Sequence, residues 1–168
     1  SGDSSPPTGW TLNGIGAAIA RSTSDPVDGT SCVRLLPGSN GGNICQYIHT
    51  TLGIDYWKGK IVTVGCWVKS NVANKGCIRL YDGVSTPTYQ HHSGGGAWEW
   101  LTGTIVVSES ATLLRVYVDG ETSGGSDYFY FDGAMAVEGA TITDPAPGDL
   151  FMFGETDLES VECLVKNI

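Results

Sequence analysis

The chain has 168 residues, 40% hydrophobic and 16% charged, with 9 basic against 18 acidic side chains, a formal charge of -9 and a pI near 4.5. That length fits one domain able to bury its own core, and the negative charge excludes polyphosphate, so nucleic acid and anionic membrane surfaces are not expected partners. The 24 glycines point to an all-β chain of short strands and tight turns, because glycine supplies the positive φ of turns and costs a helix interior about 1 kcal/mol.

In chain order, residues 1–8 are rich in Ser and Pro and read as a flexible lead-in. They have neither a basic start nor an apolar stretch, and no run in the chain approaches the roughly 20 apolar residues that span a bilayer. The expectation is a soluble domain with any export signal already removed and, from the start without methionine, a processed or tag-cleaved chain. Apolar segments then alternate with turn clusters, which predicts strands at residues 17–21, 32–36, 44–49, 61–69, 77–81, 100–107, 112–119 and 128–137. Residues 25–29, 37–42, 93–96 and 120–125 are loops by composition. After Pro145-Ala146-Pro147-Gly148, an apolar pattern returns at residues 150–153 and 157–168. There Leu158, Val161, Leu164 and Val165 fit one helical stripe, and residues 161–165 fit a strand equally well. The division expected is a lead at 1–8, a domain at 9–149 and an extension at 150–168 suited to packing on a neighbour.

Period-two alternation assigns the strand faces. Val62, Val64, Cys66 and Val68 form one apolar set, with Thr63, Trp67 and Lys69 opposite. Ile78 and Leu80 point inward with Arg79 and Tyr81 outward, and Leu114, Val116 and Val118 point inward with Arg115, Tyr117 and Asp119 outward. If these strands are neighbours in one sheet, Trp67, Lys69, Arg79, Tyr81, Arg115, Tyr117 and Asp119 share a surface. Flat rings beside planar hydrogen-bonding groups suit a sugar, whose C–H face stacks on an aromatic while its hydroxyls pair at the rim. The same side chains also fit a solvent face stabilised by cross-strand pairs.

Seven segments follow one another in a familiar order: Gly9-Trp10-Thr11-Leu12, Ser31-Cys32-Val33-Arg34-Leu35, Cys66-Trp67-Val68-Lys69-Ser70, Ile78-Arg79-Leu80-Tyr81-Asp82-Gly83, Gly96-Ala97-Trp98-Glu99-Trp100-Leu101, Leu114-Arg115-Val116-Tyr117-Val118-Asp119-Gly120 and Tyr130-Phe131-Asp132-Gly133-Ala134. Over residues 9–139 this resembles the CenC-like, cellulose- and xylan-binding carbohydrate-binding modules, which are galactose-binding-like jelly rolls. The resemblance implies a two-sheet antiparallel β-sandwich of about eight or nine strands, no catalysis, and a glycan cleft on the concave sheet. It also implies a structural calcium, for which Asp132 on the last strand and Asp25 and Asp28 in the corresponding loop supply oxygen ligands. The usual Asn-Gly-x-Phe-Glu opening is absent, residues 1–8 offering only Asp3, and Gly133 stands where a second acid is usual.

Cysteines 32, 45, 66, 77 and 163 contain no Cys-x-x-Cys pair, which argues against a zinc knuckle or a thioredoxin-like site. Cys32 and Cys45 flank a short loop and are the better disulfide candidates; five reduced thiols, mostly buried, is the alternative, and Cys163 is placed to bridge subunits. His91 and His92, adjacent on an extended segment, point to opposite sides and lack a third ligand, so with Tyr89 they suit polar contact to a ligand better than a metal. Glu99, Asp82, Asp119 and Asp132 read as surface acids rather than a hydrolytic pair. The expectation is a non-catalytic glycan-binding module, extracellular or on a particle surface. The alternative is a structural or decoration subunit of a virion or extracellular appendage that self-assembles through the jelly roll and the tail.

Overall fold

Alternating apolar residues two apart build nearly every long element of the chain. The computed structural model describes residues 4–85, 87–121, 127–142, 150–153 and 161–164, the last two stretches as backbone. The elements are β1 (Thr11–Asn13), β2 (Ala18–Ser22), β3 (Cys32–Leu36), β4 (Gly42–Tyr47), α1 (Ile54–Trp57), β5 (Ile61–Lys69), β6 (Gly76–Tyr81), β7 (Thr88–His91), β8 (Trp98–Val106), β9 (Arg115–Gly120), β10 (Phe129–Glu138), β11 (Leu150–Phe153) and β12 (Val161–Leu164). Two five-stranded sheets result, ordered β1-β4-β9-β6-β7 and β2-β3-β10-β5-β8, with every pairing antiparallel.

The all-β sandwich is therefore observed, with ten strands where eight or nine were expected. The additional ones are the edge strands β1 and β7, with three and four residues. Edge strands this short bury little, so they leave no alternating apolar signal. Ile78, Leu80, Val116 and Val118, assigned inward, pack with Ile44 of the first sheet against Val62, Val64, Cys66 and Val68 of the second, where Ile19, Leu35, Phe129 and Phe131 join them. Phe129, Leu35, Ile78 and Leu80 are among the largest fully buried side chains, and burying each contributes roughly 1.5–3 kcal/mol.

One premise of the sequence reading is corrected. β5 is not in the sheet of β6 and β9 but in the opposite one, paired with β10 and β8. Its outward residues Trp67 and Lys69 therefore lie on the far side of the molecule from Arg79, Tyr81, Arg115, Tyr117 and Asp119.

In the tail, β11 and β12 pair as an antiparallel hairpin with Leu150 opposite Leu164. Residues 161–164 are thus a strand, the second of the two readings; Leu158 and Val165 lie outside the described residues, as do Asp3 and loop residues 122–125. In the lead-in, the carbonyl of Pro7 accepts the N–H of Trp10 at 3.0 Å. Ser5, Pro6, Pro7 and Thr8 line a cavity of about 510 Å³ together with Trp10, Arg21, Cys32 and Asp132.

Candidate functional site

The ladder registers of the first sheet arrange its outward side chains in rows. Asn13, Asn43, Asp119, Cys77 and His91 form one row, Thr11, Cys45, Tyr117, Arg79 and Tyr89 the next, and Tyr47, Arg115 and Tyr81 the third. Five of the seven residues expected at a sugar site are thus brought together here, joined by Tyr47, Tyr89 and His91.

Neighbours across the strands decide which of these groups remain available. Arg79 donates through Nε and Nη2 to Asp119 Oδ2 and Oδ1 at 2.9 and 3.1 Å, a two-pronged ion pair with little exposure on either partner. Burial lifts the Asp119 carboxyl above its ordinary 3.8, against the pull of the Arg79 guanidinium. The same guanidinium sits 3.8 Å over the Tyr117 ring and 5.4 Å from the Tyr89 ring. Tyr117 is only 7% exposed and its face is covered by Arg79, so it does not offer the open stacking surface expected of it. Asp119, 8% exposed and committed to Arg79, likewise serves the floor rather than the surface.

The exposed rings are others. Tyr47 and Tyr89 are 37% and 43% exposed, and Tyr81 is half-buried beside Arg115. Tyr89 stacks with His91, two residues along the edge strand, at 5.8 Å between ring centroids and 10° between planes. Arg115 lies 4.0 Å over the Tyr47 ring, and its Nη1 donates to the Tyr117 hydroxyl at 3.0 Å. Tyr47 is absent from the expected set, and the signal for it in the sequence is its shared parity with the outward Cys45 on β4.

The two histidines do point opposite ways. His92 is fully buried: its Nδ1 accepts the Gly94 N–H at 2.8 Å and its Nε2 lies 2.9 Å from the Ala97 carbonyl, so the hydrogen is on Nε2 and the ring pins the glycine-rich loop. Of the two, only His91 faces outward, beside Tyr89 on β7.

On the second sheet, Trp67 and Trp100 meet at 5.6 Å with their planes tilted by 56°. Gly65, two residues before Trp67 on β5 and opposite Thr102, is required there because a Cβ would overlap the six-membered ring of Trp100. Lys69 is paired with Asp25 at 2.7 Å, and the Trp98 indole N–H donates to the Asp25 carbonyl at 2.9 Å. These contacts tie loop 25–29 down over this end of the sheet.

The expected calcium ligands do lie near one another, but not as a cage. A bulge in β10 between Asp132 and Met135 turns Asp132 toward the loop. There its Oδ2 accepts the backbone N–H groups of Val27 and Asp28 at 2.9 and 3.2 Å. Lys69 holds the Asp25 carboxyl below its ordinary value, and Asp28 Oδ1 accepts the Gly29 N–H. Among the described residues no three His, Cys, Asp or Glu side chains converge as a metal site. Oxygens already facing N–H donors and an ammonium do not fit a divalent cation.

The Cys32–Cys45 pairing is also corrected, since both thiols are free. Cys32 is on β3 of the second sheet and Cys45 on the outward face of β4 in the first, where Asn13 Nδ2 donates to its sulfur at 3.3 Å. Outward residues of opposite sheets are separated by the sandwich, whose layers stand about 10 Å apart, beyond disulfide reach. Cys66 and Cys77 are free as well, and burial pushes both thiols up to about 12, so neither is a reactive thiolate.

The carboxylates considered for catalysis are all engaged. Asp82 is fully buried rather than on the surface, accepting the N–H groups of Val84, Ser85 and Ser108 and the Ser85 hydroxyl at 2.8–3.0 Å. Glu99 accepts from the hydroxyl and N–H of Ser93, and that hydroxyl holds its carboxyl below the usual range.

No protein-family model and no curated protein matches this sequence. Solved structures do match in fold. The C-terminal family 22 carbohydrate-binding module of Clostridium thermocellum Xyn10B superposes with a TM-score of 0.62 at 19% identity, covering 82% of this chain and 89% of that one. TmCBM61, solved with β-1,4-galactotriose, gives 0.57 at 14% identity, covering 79% and 90%. The enzymatically active domain of tailspike protein 4 from bacteriophage CBA120 gives 0.59 at 16% identity, with 78% of this chain and 19% of that chain covered. The chain shares the jelly-roll fold of carbohydrate-binding modules.

Proposed function

We propose that the chain is a non-catalytic glycan-binding module, working outside the cell or on a particle surface, whose ligand lies across the outer face of β4, β9, β6 and β7. One observation carries this reading: Tyr47, Tyr81 and Tyr89 are presented along three strands around a guanidinium-braced floor, each with ring surface open to solvent. Tyrosine rings offer flat apolar area at low conformational cost and a hydroxyl at the rim, which suits the two-sided polarity of a sugar. The absence of catalysis is supported by the commitments of Asp82, Glu99, Asp119 and Asp132 to backbone, serine and arginine partners.

The test is retention on a glycan array carrying xylan- and β-1,4-galactan-derived oligosaccharides among others. Tyr81→Ala/Tyr89→Ala is expected to weaken binding about 10- to 100-fold, each ring contributing roughly 0.7–1.4 kcal/mol. The melting temperature should move by only a few degrees, because Tyr89 is exposed and Tyr81 is half-buried outside the core. Wild-type affinity in the double variant, or collapse of the fold, counts against the site.

A second reading, a self-assembling structural subunit, draws on the tailspike that contains this fold and on the β11–β12 hairpin after the sandwich. Size-exclusion chromatography with light scattering separates the two: a monomer that binds glycan supports the first, and a defined oligomer that binds none supports the second.

A further inference from the structure

The two guanidiniums on the tyrosine face differ in one respect that bears on the ligand. Arg79 is neutralised by the two-pronged contact with Asp119. Arg115 forms no salt bridge among the described residues; its single hydrogen bond goes to the neutral Tyr117 hydroxyl, and its Nε is buried without a partner. The chain carries twice as many acidic as basic side chains, and every described lysine is paired with a carboxylate. A guanidinium left without an anion there, yet fixed in place by the ring of Tyr47 and the hydroxyl of Tyr117, is a positioned and uncompensated charge.

Resting on the glycan reading, we infer that Arg115 selects acidic glycans, its guanidinium pairing with the carboxylate of a uronic acid residue while neighbouring sugars stack on Tyr47 and Tyr81. A planar carboxylate matches the fork of a guanidinium, and such charge-assisted contacts are about twice as strong as those to hydroxyls. The position agrees with this chemistry: Arg115 lies between Tyr47 and Tyr81 in one row, so a ring on either tyrosine brings the next sugar's substituent over the guanidinium. A chain with a net charge of -9 otherwise repels polyuronates, so attraction to one requires a local cation of this kind.

The experiment compares one uronate-bearing polysaccharide with the same polymer after its carboxyls are reduced to alcohols, by affinity electrophoresis and calorimetry. The wild-type chain is expected to bind the acidic form at least tenfold more tightly, with that advantage shrinking between low and high salt. In Arg115→Gln the acidic-to-reduced ratio should fall to within about twofold, whatever happens to affinity itself; Arg115→Lys should keep part of it. Because the reduced polymer alters the ligand and not the protein, the comparison stands even if a variant fails to fold. Equal affinity for the two forms, or a preference surviving in Arg115→Gln, overturns the inference and leaves the glycan site standing. No binding of either form overturns both.

Discussion

Asp82→Ala is expected to lower the unfolding free energy at neutral pH by about 3–5 kcal/mol and the melting temperature by about 10 °C. The carboxylate is fully buried and closes the turn after β6 onto the start of the β8–β9 connection, accepting the Val84, Ser85 and Ser108 N–H groups and the Ser85 hydroxyl. Removing it leaves three backbone donors without partners in a site that excludes water, and each orphan costs about 1–3 kcal/mol. The pH dependence has a definite sign. Burial alone raises the Asp82 carboxyl, but the N–H groups of Ser108, Ser85 and Val84 and the Ser85 hydroxyl outweigh it and hold it below the ordinary 3.8. A carboxyl depressed on folding contributes stability that is complete above the unfolded value and is lost as pH falls through the folded one. The gap between wild type and variant should therefore be full at pH 7 and shrink below about pH 4, read by urea unfolding across that range. A gap under about 1 kcal/mol at pH 7 contradicts the assignment.

Arg79→Leu should cost about 3–5 kcal/mol, because it leaves the Asp119 carboxylate buried without its counter-ion. Asp119 is 8% exposed, its carboxyl is already raised by burial, and Arg79 is the main group opposing that rise, with a smaller contribution from Asn43. In the variant, protonation becomes the remaining way to remove the buried charge. A carboxyl raised on folding binds its proton more tightly in the folded state, so stability falls as pH rises. The deficit of Arg79→Leu should accordingly be smaller at pH 5 than at pH 8. Replacing both partners, in Arg79→Met/Asp119→Leu, should restore much of the lost stability, since apolar replacement of an entire buried pair is often neutral. Thermal scans of both variants and the wild type at both pH values check this. A single variant as stable as wild type would mean the pair adds no constraint to the floor beneath the tyrosines.

Alternation made the core face of nearly every long strand legible: Val62, Val64, Cys66, Val68, Ile78, Leu80, Leu114, Val116 and Val118 are all buried as their spacing requires. It did not reveal the sheet to which each strand belongs, because a strand alternates identically in either sheet. Strand order here is also non-sequential, with β9 between β4 and β6 and β10 between β3 and β5. That is why Trp67 and Lys69 were grouped with residues on the opposite side of the sandwich. Outward parity also overstated availability. Tyr117 and Asp119 face outward, yet Arg79 on the neighbouring strand covers one and binds the other. Asp82 was read as a surface acid because its partners are backbone N–H groups, which leave no trace in residue identity. Resemblance supplied the calcium expectation, and the local contacts of Asp25 and Asp132 with Lys69 and backbone donors count against it.

The central claim is that a glycan binds the face of the first sheet and not the tryptophan-bearing face of the second. Nitrogen-15 HSQC titration of the folded chain with the oligosaccharide that the array retains best tests it directly. The account predicts amide shifts concentrated at Tyr47, Tyr81, Tyr89, His91 and Arg115, while the indole signals of Trp67, Trp98 and Trp100 stay in place. Shifts centred on those indoles and Lys69, or no shifts at saturating sugar, would contradict it.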